Sequence, residues 1–209
     1  MEFEVPLLSG SYVRLEPLSL DHVDGLVAAA AEDRSPYQWT FVPQGRNATV
    51  QYVETALAWR DEGTALPFAT VRIADGAVVG STRFWNIEGW AWPEGHARHG
   101  RPHPDVCEIG YTWLTAAAIR TAINTEAKFL MLEHAFEVWQ VLRVSLHTDA
   151  RNLRSQAAIE RIGGKREGIL RAHKMAFDFT TRDSVRYSIV AAEWPEVKRR
   201  LVQRLQPAT

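Results

Sequence analysis

The stretch that decides the fold is Cys107-Glu108-Ile109-Gly110-Tyr111-Thr112-Trp113-Leu114 and its continuation, Thr115-Ala116-Ala117-Ala118-Ile119-Arg120-Thr121-Ala122-Ile123-Asn124-Thr125-Glu126-Ala127-Lys128. The first eight residues are short, apolar and aromatic-rich, which suits a strand. From about Asn124 to Trp139 the apolar residues fall on two helical faces. One holds Ala127, Leu130, Met131, Ala135 and Val138; the other holds Phe129, Leu132, Phe136 and Trp139. Glu126, Glu133, Glu137 and Gln140 form the narrow polar stripe, so this helix is expected to be buried on more than one side. Leu142-Arg143-Val144-Ser145-Leu146-His147 reads as the next strand. Strand, helix and strand in this order make a βαβ unit, whose two strands run parallel.

Working outward, Tyr12–Leu18 alternates like a half-buried strand, and Ser19 caps a helix over about Asp21–Glu32. Tyr37–Asn47 is irregular, and a second helix spans about 48–61. Phe68–Ile73 and Val78–Trp85 flank Asp75-Gly76, a hairpin turn signal. Gly89–Asp105 reads as a long loop of glycine, proline, histidine and tryptophan. Beyond the βαβ unit, Asn152–Ile162 predicts a helix, Lys165–Ala172 and Ser184–Val190 two strands, and Trp194, Val197, Leu201 and Leu205 an amphipathic helix. The expected architecture is α/β: one mixed sheet of six to seven strands with helices on both faces, in one domain over 1–209.

Composition narrows the function. The 209 residues are 46% hydrophobic with a net charge of −1, which argues against a general nucleic-acid binder. No apolar run approaches the ~20 residues of a membrane span, and the acidic N-terminus lacks a signal-peptide pattern. The single Cys107 excludes an intramolecular disulfide, so a cytoplasmic protein is expected. His96, His99, His103 and Cys107 are ligand types that suit zinc, but their spacing fits no strong template and Arg98 and Arg101 stand beside them. A solvated loop without metal is the expectation.

The 114–128 junction carries the chemistry. A buried helix that starts after small residues presents free N–H groups and the positive end of its dipole, which favours phosphate. Arg120, Thr121 and Asn124 add donors, and Ala122 permits close approach. An ordinary helix start capped by Asn124 or Thr125 is the alternative.

These blocks, joined by Asn152-x-x-Ser155, Arg161-Ile162-Gly163-Gly164, Glu167-Gly168-x-x-Arg171, Arg14-Leu15 and Gly80-Ser81-Thr82, resemble in order and spacing the GNAT (Gcn5-related) acyl-CoA N-acyltransferases, nearest to the ribosomal-protein N-terminal acetyltransferase branch. The resemblance covers about residues 8–195. It implies a GNAT fold with a splayed central parallel pair, acetyl-CoA or another acyl-CoA as co-substrate, and direct attack of a primary amine on the thioester in a ternary complex. It places the cofactor on Trp113, Leu114, Arg120, Thr121, Ala122, Ile123, Asn124, Thr125, Asn152 and Ser155. A backbone N–H near Trp113 would polarise the thioester carbonyl.

In catalysis, the resemblance gives Glu108 the role of base, with Glu88 and His147 as alternatives, and Ser155 a hydrogen bond to the CoA sulfur. First-turn capping after Asn152 is the other reading of Ser155. Trp39, Phe41, Trp85 and Tyr111 would line the acceptor site, and Trp90 and Trp92 would cover it. The phosphate loop departs from the family's Gln/Arg-x-x-Gly-x-Gly/Ala, since Ala122 replaces its glycine; Ile159 stands where many members have a tyrosine. These departures motivate the rival reading, a catalytically silent acyl-CoA-binding or sensing module; a larger acyl group is a further alternative. The acceptor amine is not specified, and a homodimer is compatible with the sequence.

Overall fold

The computed structural model describes residues 5–176 and 178–206. Eight strands form one sheet: β1 (Leu8–Ser9), β2 (Val13–Pro17), β3 (Ala65–Arg72), β4 (Val78–Glu88), β5 (Val106–Leu114), β6 (Arg143–Asp149), β7 (Lys165–Met175) and β8 (Thr181–Val190). Their spatial order is β1-β2-β3-β4-β5-β6-β8-β7. The β5–β6 pair is parallel, as the βαβ reading requires, and the others are antiparallel. The count exceeds the expected six to seven because β1 is two residues long, too short to show a period.

Helices α1 (Val23–Ala31) and α2 (Gly45–Asp61) pack on one face of the sheet, around Leu26, Val53, Ala56, Ala69, Val71 and Trp113. The opposite face carries α3 (Ala122–Glu133), α4 (Leu153–Arg161) and α5 (Trp194–Leu205), around Phe84, Ile109, Met131, Leu132, Val144, Ile159 and Leu201. A π-helical turn over His134–Val138 extends α3. The second helix starts at Gly45 rather than 48, and α3 at Ala122 rather than Asn124.

The polar stripe expected on α3 is corrected at Glu126. Its side chain is buried and accepts hydrogen bonds from the Ser11, Tyr12 and Val13 N–H groups at 2.8, 2.6 and 2.8 Å. The carboxylate thus holds the β1–β2 turn against α3. Gly10 makes the approach possible, because a Cβ there would lie 2.3 Å from Glu126 Cδ. Lys128 is also buried. Its ammonium donates to Thr82 Oγ1 at 2.9 Å and Thr112 Oγ1 at 2.6 Å, while the two hydroxyls are 2.8 Å apart. Burial depresses its pKa from 10.5 to about 7.

Candidate active site

The parallel pair is joined over a short length only. Val106, Cys107 and Glu108 face Arg143, Val144 and Ser145, and no further rungs follow. From Ile109 to Leu114, β5 runs free of β6, so the expected splay opens toward the start of α3. On its other side β5 stays paired to β4, with a slip between Ser81 and Arg83. Tyr111 sits at that bulge with φ +52°, a left-handed conformation that costs a bulky residue energy. Gly80 lets β4 approach there, since a Cβ on it would lie 2.0 Å from the Trp113 carbonyl oxygen.

At the top of the splay Thr121 caps α3. Its hydroxyl accepts from Ile123 N–H at 3.3 Å and donates to the Ala118 carbonyl at 2.7 Å. This corrects the alternative that assigned the cap to Asn124 or Thr125, which lie in the first turn. Arg120 has φ +64° and is exposed with Thr121. The first N–H groups of α3 lack carbonyl partners four residues back, and the helix begins eight residues after β5 ends.

Across the splay, Asn152 caps α4, its Oδ1 accepting from Ser155 N–H at 3.0 Å. The capping reading of this pair therefore holds, and Ser155 is half-buried. Trp39 lies beside Asn152, its ring centroid 4.1 Å from the Arg151 guanidinium carbon. Together with Ser35, Pro36, Asn152 and Arg154 they line a groove of about 250 Å³. Phe41 is 62% exposed, its ring centroid 6.5 Å from that of Tyr52.

Glu108 is buried on the α1–α2 face. Its Oε2 lies 2.9 Å from His147 Nδ1 and accepts from Asn86 Nδ2 at 3.1 Å. Burial raises the Glu108 pKa, but His147, Lys174 and Asn86 outweigh that and hold the carboxyl below its ordinary value. The His147 ring stands 5.2 Å from that of His173. Glu108 is opposite Trp85, and two residues along β4, Arg83 is opposite Gly110. Strand alternation puts Arg83, Trp85 and Glu108 on one face. Trp85 and Tyr111 join Trp59 in an aromatic cluster with centroids 4.7 to 5.5 Å apart.

Buried side-chain polar atoms without hydrogen-bond partners are rare in folded proteins. Among the described residues, most of them here collect on this face: Tyr37 Oη, Arg83 Nε and Nη2, Trp113 Nε1, His173 Nδ1 and Arg182 Nε. Burial also raises the Tyr37 hydroxyl to about 12 and lowers Arg182. Sequence reasoning did not single out Arg83, Tyr52, Trp59, His173 or Arg182. The period-2 step Ser81, Arg83, Trp85 was the available signal, since it places an arginine on a face otherwise expected to be covered by helices.

The long loop, expected to cover the acceptor site through Trp90 and Trp92, is organised by Asp105 at the start of β5. Asp105 is buried and accepts from Trp90 N–H at 2.7 Å, Trp92 Nε1 at 2.8 Å and Arg98 Nη1 at 3.0 Å. Arg98 and Arg101 in turn donate to Gln140 at the end of the π-helical turn. Trp92 stacks on His96, and its carbonyl lies 2.7 Å from His99 Nδ1. The loop is pinned where β5 and β6 begin, at the end of the sheet away from the α3 start. No group of three or more His, Cys, Asp or Glu able to hold a metal occurs among the described residues. Nor is any described helix long and apolar enough to cross a membrane.

Comparison with known proteins agrees with this architecture. The family profile "Acetyltransferase (GNAT) domain" matches residues 13–165. The chain belongs to the GNAT acetyltransferase family. A GNAT N-acetyltransferase from Brucella melitensis is 28% identical with a TM-score of 0.84, covering 99% of this chain and 88% of that one. A protein of T. thermophilus described as an acetyltransferase is 32% identical with a TM-score of 0.78, covering 98% and 100%. Mycobacterium smegmatis RimJ, solved in complex with CoA-disulfide, shares the fold at 22% identity and a TM-score of 0.72, covering 92% and 88%. No curated protein matches the chain. The expected GNAT enzyme class is thus borne out, with RimJ among the proteins that share its fold.

Proposed function

We propose that this GNAT chain, acting as one domain, transfers an acetyl group from acetyl-CoA to a primary amine. The observation that carries the reading is the parallel pair that parts after Glu108, followed in the chain by the exposed N-terminus of α3. An unpaired strand edge can hydrogen-bond a linear amide-bearing arm, and the helix N-terminus favours its phosphates. Arg120, Thr121 and the N–H groups of residues 122–125 would hold the pyrophosphate. Trp113, Leu114 and the Asn152 amide would hold the arm. Ala122 carries a Cβ where the family has glycine, yet Arg120 already takes the left-handed turn two residues earlier.

The amine nitrogen attacks the thioester carbonyl carbon, a C–N bond forms and the C–S bond breaks. The sulfur leaves as thiolate, within reach of the Ser155 hydroxyl. The proton lost by the amine passes to Glu108, which is ionised at neutral pH and has the His147 ring 2.9 Å from it. Trp85 and Tyr111 line the acceptor side.

The test is a calorimetric titration with acetyl-CoA of the wild type and Arg120→Ala. Wild-type binding, weakened about tenfold or more in the variant, is expected for a charge-assisted phosphate contact. Wild-type protein that binds no acyl-CoA of any chain length would refute the reading.

A further inference from the structure

Arg83 is 1% exposed, and no carboxylate among the described residues pairs with it. Its guanidinium carbon lies 4.3 Å from the Tyr111 ring centroid, 5.1 Å from Tyr52 and 5.3 Å from Trp59. The rings cover its faces, while Nε and Nη2 on its edge have no acceptor. Cation–π contacts offset part of the cost of burial. They do not satisfy N–H groups, and a buried charge without partners is more costly than an apolar side chain of equal size. A methionine would fill the same cage at lower cost. The guanidinium edge is therefore suited to an anion that arrives from outside, and a carboxylate matches its two-pronged geometry.

We propose that Arg83 binds the carboxylate of the acceptor, and that the acceptor is a small amino acid. This rests on the acetyl-transfer reading above. Arg83 and Glu108 stand on the same face one strand apart, opposite Gly110 and Trp85 respectively, so the two sites are separated by about 7 Å along the sheet. An amine presented to Glu108 and a carboxylate held by Arg83 fall within one small molecule, not at the two ends of a peptide. Tyr111 is the most exposed ring of the cage at 39%. Arg182 Nε, on the same face, is likewise buried without a hydrogen-bond partner.

The experiment compares acetyl transfer to a series of L-amino acids and to their amides, read by thiol release. Amides have the larger free-amine fraction at neutral pH, so chemistry alone favours them. The expected wild-type result is a kcat/KM at least about tenfold higher for the acid than for its amide. In Arg83→Gln that preference should vanish while transfer to the amide persists; Arg83→Lys should keep part of it. A second arm reads binding without turnover: N-acetyl amino acids, but not their amides, should raise the wild-type melting temperature, and Arg83→Gln should abolish that shift. An acid-to-amide ratio near or below one in the wild type, with no carboxylate-dependent stabilisation, would overturn the proposal even if the variants fail to fold. Loss of acetyl-CoA binding would instead bring down the acetyl-transfer reading, and the N-acetyl amino acid arm would still decide the role of Arg83.

Discussion

Replacing Lys128 with methionine should stabilise the protein, by an amount that depends on pH in a defined way. The ammonium is fully enclosed, its contacts are two threonine hydroxyls, and its pKa falls from 10.5 to about 7. Each pKa unit corresponds to about 1.4 kcal/mol, so protonated Lys128 costs the folded state roughly 5 kcal/mol as an upper bound. Exchanges of buried charges for apolar residues gain about 1 to 4 kcal/mol. Thr82 and Thr112 remain hydrogen-bonded to each other at 2.8 Å once the lysine is gone.

The sign follows from proton binding. Between about pH 7 and 10.5 the unfolded chain holds a proton on Lys128 that the folded chain does not, so wild-type stability gains with rising pH. The methionine variant has no such term. Urea unfolding at pH 6, 8 and 9.5 should therefore show the variant ahead by about 1–4 kcal/mol at pH 6, with the lead shrinking at each step. A variant that is less stable at pH 6, or a difference that does not change with pH, would refute the account of Lys128 as a desolvated charge.

Glu126→Ala should destabilise the fold by about 3 kcal/mol or more, because three N–H groups of the β1–β2 turn lose their acceptor; thermal unfolding reads this, and a loss below about 1 kcal/mol would contradict it. Glu108→Gln should lower kcat by a factor of about 10² to 10⁴ with acetyl-CoA affinity unchanged. Because its carboxyl is held below the ordinary value, Glu108 should contribute no inflection to the kcat profile between about pH 5 and 9, and one that disappears in the variant would count against it. Asp105→Asn should speed limited proteolysis within residues 89–105. The Asp105 pKa is lowered, its burial being outweighed by the Trp90, Trp92 and Arg98 donors. Its stabilisation is therefore present above the unfolded-state pKa and is lost as pH falls through the lower folded one.

The sheet and its helices were legible because their signals are local. Alternation marks β2 and β8, Asp75-Gly76 marks the hairpin, and the two-sided apolar pattern of α3 announces a helix packed between neighbours. The splay was reached through the family resemblance, and the structure accounts for it by rungs that stop at Glu108 and Ser145. What the sequence concealed depends on contacts far apart in the chain. Glu126 looks like any surface glutamate until β1 and β2 bring three N–H groups to it from more than 100 residues away. The Arg83 cage draws its rings from α2 and β5, and no local pattern relates Tyr52, Trp59 and Tyr111. The loop histidines suggested metal chemistry by composition, whereas the residue that organises the loop is Asp105, a lone acid at its end. Ser155 has two uses open in the sequence, and the structure shows its N–H donating to the capping Asn152 Oδ1.

A sheet with unpaired rungs ordinarily invites another chain to complete it, with aggregation as the consequence. The open edge here belongs to two central strands, not to β1 or β7 at the rim. Three shared rungs close the gap at one end, β6 and β8 wall it on one side, and α3 stands over its mouth. A foreign strand would need to thread into the middle of the molecule to reach Ile109–Leu114, whereas a slender ligand can slide in. The protein thus keeps a hydrogen-bonding template permanently exposed to small molecules and sheltered from its own kind.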